Sequence, residues 1–394
     1  MKILVTGANG FIGKNLMAEL QNQGFNDILA YDRSGGPTLL DKYTEVCDFV
    51  FHLAGVNRPE KETEFMAGNY GFTAELLKSL KKHGNKAPIV LTSSVQATLD
   101  NPYGQSKRAS EDLVFRYKQE MNIPVYVYRL PNVFGKWCRP DYNSVVATFC
   151  HNIANIYPIR IHNPEKRMDL VYIDDVVNSF IDKLKNRISG TDCLSGFEDI
   201  TPVYTMKISD IALLLYQFTE SRYDLFIPDM SNDFTRKLYA TFLSYLPEDQ
   251  LSYRLKTNHD SRGSFSEFLK TNDRGQVSIN VVKPHAVKGN HWHHTKNEKF
   301  LTVSGNGVVR LRKPDSDHVI TFTVSGDQPE VIDIPPGYIH NIENTGDVDM
   351  VTVIWVNEVF DKNKPDTYYS EVELTLKKQE NEEVKSNDSC RHAS

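Results

Sequence analysis

The chain has 394 residues, of which 40% are hydrophobic and 24% charged, with 22 glycines and 18 prolines. This composition is typical of folded globular protein and excludes a disordered, collagen-like or fibrous chain, while the length leaves room for two or three domains. The net charge of −6 argues against the broad basic surface of a non-specific nucleic-acid binder, so no nucleic acid is expected as a partner.

The expected location is the cytoplasm. Met1-Lys2 leads directly into the apolar run Ile3-Leu4-Val5, which has neither the length nor the cleavage site of a signal peptide. No run approaches the roughly 18 consecutive apolar residues of a membrane helix, so no membrane partner is expected. The cysteines are scattered and form no Cys-x-x-Cys pair, which predicts reduced thiols: Cys47, Cys138, Cys150, Cys193 and Cys390.

Short apolar runs alternate with amphipathic segments of helical length from Met1 to about residue 246. The predicted strands are Ile3–Thr6, Ile28–Tyr31, Phe49–Leu53, Ile89–Leu91 and Val125–Leu130. The predicted helices are Phe11–Gln21, Phe72–Lys82, Ser106–Met121 and Ile208–Thr219. This alternation predicts an α/β domain over residues 1–246, a Rossmann-type doubly wound parallel sheet with helices on both faces.

A glycine-rich turn follows the first predicted strand and opens the first predicted helix. In such a turn Gly7 allows the sharp bend, Gly10 lets backbone N–H groups approach a pyrophosphate, and Gly13 lets helix and strand pack closely. The positive end of the helix dipole then faces the phosphates. We therefore predict that Gly7, Gly10, Phe11, Ile12 and Gly13 bind a nicotinamide dinucleotide.

The second predicted strand leads into Asp32 and Arg33, where a dinucleotide-binding fold places the residue that contacts the adenosine ribose. An acidic residue there binds the free 2′-hydroxyl of NAD, whereas an arginine neutralises the 2′-phosphate of NADP. Both residue types are present, so the pattern is ambivalent, and we favour NADPH as the cofactor.

Ser94, Tyr103 and Lys107 are the candidate catalytic residues of this half. Tyr103 and Lys107 are four residues apart, so they share one face of a helix, and an adjacent cation favours the phenolate form of a tyrosine. Such a phenol can act as an acid or a base, and Ser94 could hydrogen-bond the substrate oxygen. The pair is a weak signal alone and gains its meaning from the preceding dinucleotide motif.

Five segments of the first 245 residues carry a family pattern: Thr6–Gly13, His52–Gly55, Leu91–Ser94, Tyr103–Lys107 and Val171–Asp175. Together they resemble an extended short-chain dehydrogenase/reductase of the nucleotide-sugar type. The resemblance implies that Ser94, Tyr103 and Lys107 are catalytic and that Lys107, Leu53 and Ala54 contact the cofactor. Arg129–Asn132 is similar to the family segment behind the nicotinamide and the sugar.

The pattern changes after Pro247. Short predicted strands, separated by Gly, Pro, Asn or Asp, are Val277–Val282, Lys299–Val303, Val308–Arg312, His318–Val324, Glu330–Ile334 and Met350–Val356. Regular strands without long helices between them predict an antiparallel all-β sandwich or barrel over residues 247–372. Residues 373–394 are polar and charged, and we predict a disordered tail there.

Two clusters in the second half carry candidate metal ligands. His291 and His293 alternate and so share one strand face, Glu298 follows shortly after, and His340 lies in a distant strand. Three imidazoles and one carboxylate suit a divalent metal such as zinc, iron, nickel or manganese. His294 is an alternative ligand to His293.

The two clusters resemble both motifs of the cupin family, whose fold is an all-β jelly roll. Residues 260–267, 276–278 and 289–291 are in addition similar to deoxysugar 3,5-epimerases, which are also cupins. That resemblance implies that His291 abstracts a proton, so its role as base or as metal ligand stays open. Arg262 would suit a diphosphate contact, because a guanidinium binds phosphate oxygens in a forked geometry.

The whole chain, including Tyr142–Phe149 and Gly289–Phe300, resembles bifunctional capsular-polysaccharide enzymes of the CapF type, which fuse an extended short-chain dehydrogenase/reductase to a cupin. The resemblance implies C3 epimerisation of a UDP-4-keto-2-acetamido-2,6-dideoxyhexose in the cupin and NADPH-dependent reduction at C4 in the reductase domain. The product would be UDP-2-acetamido-2,6-dideoxy-L-talose, on the path to UDP-N-acetyl-L-fucosamine. Zinc and a homodimer are also implied. The alternative is a reductase alone, with the cupin as a sugar-binding or dimerisation module that catalyses nothing.

Overall fold

The structure, a computed structural model, describes residues 1–189 and 196–373. Cys193, Cys390 and all but the first residue of the predicted tail 373–394 lie outside these ranges. The chain divides into two compact units, one of Met1–Thr219 with Met230–Leu251, the other of Glu220–Asp229 with the chain from Ser252 onward. The boundaries predicted from sequence, at residues 246 and 372, stay predictions.

The first unit is built on a parallel sheet with the strand order β2-β1-β3-β4-β5-β8. Its strands are β1 (Ile3–Thr6), β2 (Ile28–Tyr31), β3 (Phe49–His52), β4 (Ile89–Ser94), β5 (Val125–Leu130) and β8 (Gly196–Glu198). A smaller sheet has the order β6-β7-β9, formed by β6 (Asn132–Phe134), β7 (Arg167–Tyr172) and β9 (Tyr204–Lys207). The switch of strand order at β1 and β3 is where a doubly wound sheet binds its ligand.

The helices are α1 (Phe11–Asn22), α2 (Gly36–Val46), α3 (Thr63–Met66), α4 (Phe72–Lys82), α5 (Pro102–Met121), α6 (Val145–Ala154), α7 (Ile173–Ser189), α8 (Ile208–Asp224) and α9 (Asp233–Leu243). Helices α6, α8 and α9 pack around Phe134 and Leu170 of the small sheet. Helices α1, α2, α4, α5 and α7 bury their apolar sides against the large parallel sheet. Separate buried clusters form on the two faces, one around Phe51 and Phe180 and the other around Val50 and Leu76.

The second unit contains two antiparallel sheets. One has the order β10-β11-β12-β19-β14-β17 and the other β16-β15-β18-β13-β20. The strands are β10 (Thr257–Asp260), β11 (Gly263–Thr271), β12 (Gly275–Val282), β13 (Val287–Trp292), β14 (Glu298–Ser304), β15 (Asn306–Arg312), β16 (Val319–Ser325), β17 (Val331–Ile334), β18 (Ile339–Asn344), β19 (Met350–Val356) and β20 (Tyr368–Tyr369). Inward-facing residues of both sheets, among them Phe300, Val309 and Ile342, form its buried core.

The structure confirms the predicted parallel α/β architecture of the first half and the antiparallel all-β architecture of the second. Across the described residues, no helix has both the length and the apolar character that crossing a bilayer requires. Cys47, Cys138 and Cys150 are free thiols, and Cys47 and Cys150 are buried. Burial raises the pKa of the Cys138 thiol to about 11.

Candidate functional sites

The glycine-rich turn after β1 is shaped by two close backbone approaches. Gly7 has a φ of +71°, and a Cβ there would lie 2.8 Å from the backbone nitrogen of Ala54. A Cβ on Gly13 would lie 2.2 Å from the carbonyl oxygen of Gly7. Only glycine satisfies both positions, so the turn lies against the Leu53–Ala54 backbone at the start of α1. This is the backbone geometry that a pyrophosphate site requires.

Asp32 and Arg33 follow β2 and differ in how they are held. The Asp32 carboxylate accepts hydrogen bonds from the Ser34 backbone N–H, at 2.9 Å, and from the Ser34 hydroxyl, at 2.6 Å, and also from the Asn9 amide. The Ser34 bonds, with a smaller contribution from Asn9, lower the pKa of Asp32. Arg33 is exposed. The acidic side chain is thus engaged within the protein, and the guanidinium faces solvent.

Ser94 and Tyr103 meet although only eight residues separate them. β4 ends at Ser94, a 3₁₀ turn (Val95–Thr98) follows, and the Asn101 side chain caps α5 by accepting the Gly104 N–H at 2.8 Å. A Cβ on Gly104 would lie 2.2 Å from the Gln96 carbonyl oxygen, so the turn packs directly on the helix. This close packing brings the Tyr103 phenol into hydrogen-bonding contact with Ser94.

Lys107 lies one helical turn after Tyr103 and is buried. Its Nζ donates a hydrogen bond to the Thr92 carbonyl at 3.0 Å. Burial lowers the pKa of Lys107 to about 8, and the negative charge of Glu111 opposes that shift. The spacing of Tyr103 and Lys107 predicts that the lysine lowers the pKa of the phenol. In the structure burial raises the pKa of Tyr103, and the hydrogen bond with Ser94 only partly offsets the increase.

Sequence reasoning missed the ion pair beneath these residues. The buried Glu111 carboxylate on α5 accepts two bonds from Arg129 on β5, with Nη2–Oε2 at 2.6 Å and Nε–Oε1 at 3.0 Å. The Ser93 hydroxyl also donates to Glu111, and the Arg129 guanidinium lies 4.2 Å from the centre of the Phe197 ring. The i,i+4 spacing of Lys107 and Glu111 on α5 was the signal that could have found Glu111.

The structure brings the four predicted metal ligands together in the second unit. His291, His293, Glu298 and His340 each offer a ligand atom, and these atoms lie within 4.8 Å of one another. β13 and β18 are neighbours in one sheet and pair His291 with His340, while Glu298 begins β14 in the other sheet. A bulge after Gly289, whose φ is +100°, sets this register. The site therefore lies between the two sheets.

Three atoms of this cluster are buried without a hydrogen-bond partner in the described residues: His293 Nε2, Glu298 Oε2 and His340 Nε2. Glu298 Oε2 is 3.1 Å from His340 Nε2 and 3.7 Å from His293 Nε2, close enough for charge attraction. Although burial raises the pKa of Glu298, its contacts with the two histidines outweigh burial and lower it to about 2. Buried lone pairs that converge in this way fit a divalent cation.

The remaining two histidines of the motif occupy different surroundings. Burial, together with the neighbouring His340 and His293, lowers the pKa of His291 to about 4, so its ring is neutral. The alternative ligand His294 packs against Trp292 and Tyr368, with ring centroids 4.6 and 4.9 Å away. The structure therefore places His293, rather than His294, in the cluster.

The cluster opens into a cavity of about 490 Å³. Its walls carry apolar side chains such as Phe265 and Ile354 and the cations Arg262 and Lys288. Arg262 is paired with Asp260 at 2.7 Å, so its charge is partly neutralised at the cavity wall. A volume of this size accommodates a sugar-sized group beside the histidines.

Comparison with known proteins agrees with this two-part organisation. The NAD dependent epimerase/dehydratase family model matches residues 3–191, and the model of a polysaccharide biosynthesis C-terminal domain matches residues 258–368. A UDP-2-acetamido-2,6-beta-L-arabino-hexul-4-ose reductase of Pseudomonas aeruginosa is 44% identical over 368 residues, covering 93% of this chain and 98% of that protein. The crystal structure of the capsular polysaccharide assembling protein CapF from Staphylococcus aureus is 50% identical, with a TM-score of 0.88 over 94% of this chain and 100% of that one.

The chain is therefore an NAD(P)-dependent protein of the epimerase/dehydratase class with an added polysaccharide-biosynthesis domain, in agreement with its fold and its glycine-rich turn. Within that class, the chain belongs to the CapF family, as its sequence motifs predicted.

Proposed function

We propose that the chain is a nucleotide-sugar reductase that also epimerises its substrate. Residues 1–246 reduce a UDP-4-keto sugar at C4 with NADPH, and residues 247–372, as a cupin, first invert C3 of a UDP-4-keto-2-acetamido-2,6-dideoxyhexose. The product is UDP-2-acetamido-2,6-dideoxy-L-talose, which supplies UDP-L-FucNAc for capsular polysaccharide. The reductase part rests on the relative from P. aeruginosa, which is named as a reductase of such a hexulose.

The observation that carries the proposal is the presence of a complete candidate site in each unit. The first has a phenol, a hydroxyl and a buried amine after a dinucleotide turn. The second has three buried, unpartnered ligand atoms at the end of a cavity. A 4-keto sugar needs both kinds of chemistry, because its carbonyl acidifies the neighbouring C–H and also accepts hydride.

In the reductase site, bound NADPH supplies the hydride. Tyr103 donates its phenolic proton to the oxygen at C4 as negative charge develops there, and Ser94 holds that oxygen by a hydrogen bond. Lys107 contributes a positive charge in a buried site, where charge interactions are strong. The exposed Arg33 and the engaged Asp32 support a 2′-phosphate, and hence NADPH rather than NADH.

In the epimerase site, His293, Glu298 and His340 would hold a divalent metal ion, for which we propose zinc, and that ion would stabilise negative charge on the substrate. His291 removes the proton at C3 because a neutral imidazole can accept one. Arg262, in the cavity wall, contacts the diphosphate of the substrate. We further propose that the enzyme acts as a homodimer.

The test is incubation of the full chain with the UDP-4-keto sugar in D₂O, with and without NADPH, followed by mass and NMR analysis. We expect deuterium at C3 both with and without NADPH. When NADPH is present, we also expect it to be oxidised. NADPH oxidation without deuterium uptake would leave a reductase with a non-catalytic cupin. If NADPH is not oxidised with any UDP-4-keto-hexose of a panel, the reductase assignment is wrong.

The reductase rate should depend on the charge of Lys107. Because the pKa of Lys107 lies near 8, the ammonium form is lost as the pH rises through that value, and we expect kcat for NADPH oxidation to fall above about pH 8. Removing the Glu111 charge with Glu111→Gln should move this fall to lower pH, because that charge raises the pKa of Lys107. The measurement is kcat from pH 6 to 10.

Glu120→Gln is the matched control for this profile. Glu120 lies on the same helix but pairs with Lys81 at the surface, at 2.8 Å, so its loss should leave the profile unchanged. Identical pH profiles for Glu111→Gln and the parent enzyme would contradict the role given to Lys107.

A further inference from the structure

Residues 361–373 lie against the metal-ligand cluster of the second unit without contributing a ligand to it. The C-terminal part of this segment is held in place because its strand β20 pairs with β13, with Tyr369 opposite His291. The buried Arg312 holds the end of the segment by donating to the Val372 and Glu371 carbonyls, both at 2.8 Å. The contact of residues 361–373 with the cluster is therefore part of the folded structure of this unit.

Asp366 makes the central contact between this segment and the loop of residues 293–297, which joins β13 to β14 and is called the ligand loop below. Three successive backbone N–H groups converge on its carboxylate: His294 at 2.9 Å, Thr295 at 2.9 Å and Lys296 at 3.2 Å. The Thr295 hydroxyl adds a fourth bond at 3.0 Å. Converging N–H groups of this kind form an anion-binding nest, and here a side chain of the same chain fills it.

The backbone of the same residue contacts a proposed metal ligand directly. His293 Nδ1 lies 2.5 Å from the Asp366 carbonyl oxygen, which can only accept, so Nδ1 carries the proton. The proton-free Nε2 is then left for the cluster, where it is buried without a hydrogen-bond partner among the residues that the structure describes. The neighbouring Pro365 carbonyl accepts from the Lys296 amine, so two adjacent carbonyls hold both ends of the ligand loop.

We infer that Asp366 is a positioning residue that fixes the tautomer and orientation of His293 and so sets the metal affinity of the cluster. The inference rests on the metal site of the proposed function and extends it to a residue more than seventy positions from His293. Outer partners of this kind change metal affinity by about 10–100-fold when they are lost. The φ of Asp366 is +41°, a region that glycine and asparagine also adopt.

The test uses Asp366→Gly and Asp366→Asn in the full chain. Glycine fits the positive φ and removes the carboxylate, whereas asparagine keeps one acceptor oxygen. We expect the dissociation constant for Zn²⁺, measured by competition with a chromophoric chelator, to rise about 10–100-fold for glycine and by less for asparagine. Because the carboxylate also accepts four hydrogen bonds, thermal unfolding of the metal-free proteins is measured alongside to establish that each variant is folded.

Asp361→Gly is the matched control. Asp361 lies in the same segment and is exposed, and its carboxylate accepts the Asn363 N–H at 2.9 Å. Its loss should leave the Zn²⁺ affinity unchanged. Equal Zn²⁺ affinity for both Asp366 variants and the parent would overturn the inference while the metal site stands. If the glycine variant fails to fold, parent-like affinity of the asparagine variant overturns it equally. A parent protein that binds no Zn²⁺ would overturn the metal site itself, and this inference with it.

Discussion

Replacing Tyr103 with phenylalanine should lower carbonyl reduction by about 10²–10⁴-fold, the range that a general acid contributes. The change removes the phenolic proton and keeps the ring, which lies 5.5 Å from the Phe65 ring by centroid distance. Proton exchange at C3 should stay nearly unchanged, because we assign it to the separate site in the second unit. Stopped-flow NADPH oxidation and deuterium uptake measure the two activities on one preparation.

Tyr117→Phe is the control for this result. Tyr117 lies on the same helix, and its phenol donates to the Asn85 carbonyl at 3.4 Å, away from Ser94. This variant should keep both activities. An equal loss of reduction and exchange in Tyr103→Phe would contradict the assignment of two independent sites.

Replacing His340 with alanine should remove the metal and stop proton exchange. The change deletes one of the three buried ligand atoms, and losing a direct ligand should weaken binding by more than the ~10–100-fold of an outer partner. Elemental analysis of the dialysed protein measures the metal content. Reduction of a keto sugar that already has the product configuration at C3 should continue.

Two further variants sharpen that result. His318→Ala changes an exposed histidine of the same unit and should keep the metal. His291→Ala separates the two roles left open by the sequence: retained metal with lost exchange identifies a base, and loss of both identifies a ligand. Metal retained by His340→Ala would remove His340 from the ligand set.

The sequence predicted those parts of the fold and sites that depend on short-range patterns. Residue spacing alone marked the glycine turn and the Tyr103–Lys107 pair, because a turn and one helix face are local features. The helix predicted from Ser106 begins at Pro102, although Asn101 before a proline is a recognisable helix start. The apolar spacing begins later than the helix does, so the capping signal marks the true start.

Contacts between distant segments could not be predicted in this way. Glu111 pairs with Arg129 only because α5 packs beside β5, and Asp366 meets His293 only because β20 pairs with β13. Neither contact leaves a spacing pattern in the sequence. The raised pKa of Tyr103 has the same origin, since its burial depends on how the turn after β4 packs on α5.

The central claim is that one chain acts on the same ketone twice, and isotope labelling of a single product tests it most directly. The UDP-4-keto sugar is converted once with unlabelled NADPH in D₂O and once with NADPH carrying deuterium at the transferred position in H₂O. We expect solvent deuterium at C3 in the first product and cofactor deuterium at C4 in the second. Cofactor deuterium at C4 in the second product, together with no solvent deuterium at C3 in the first, would contradict the claim.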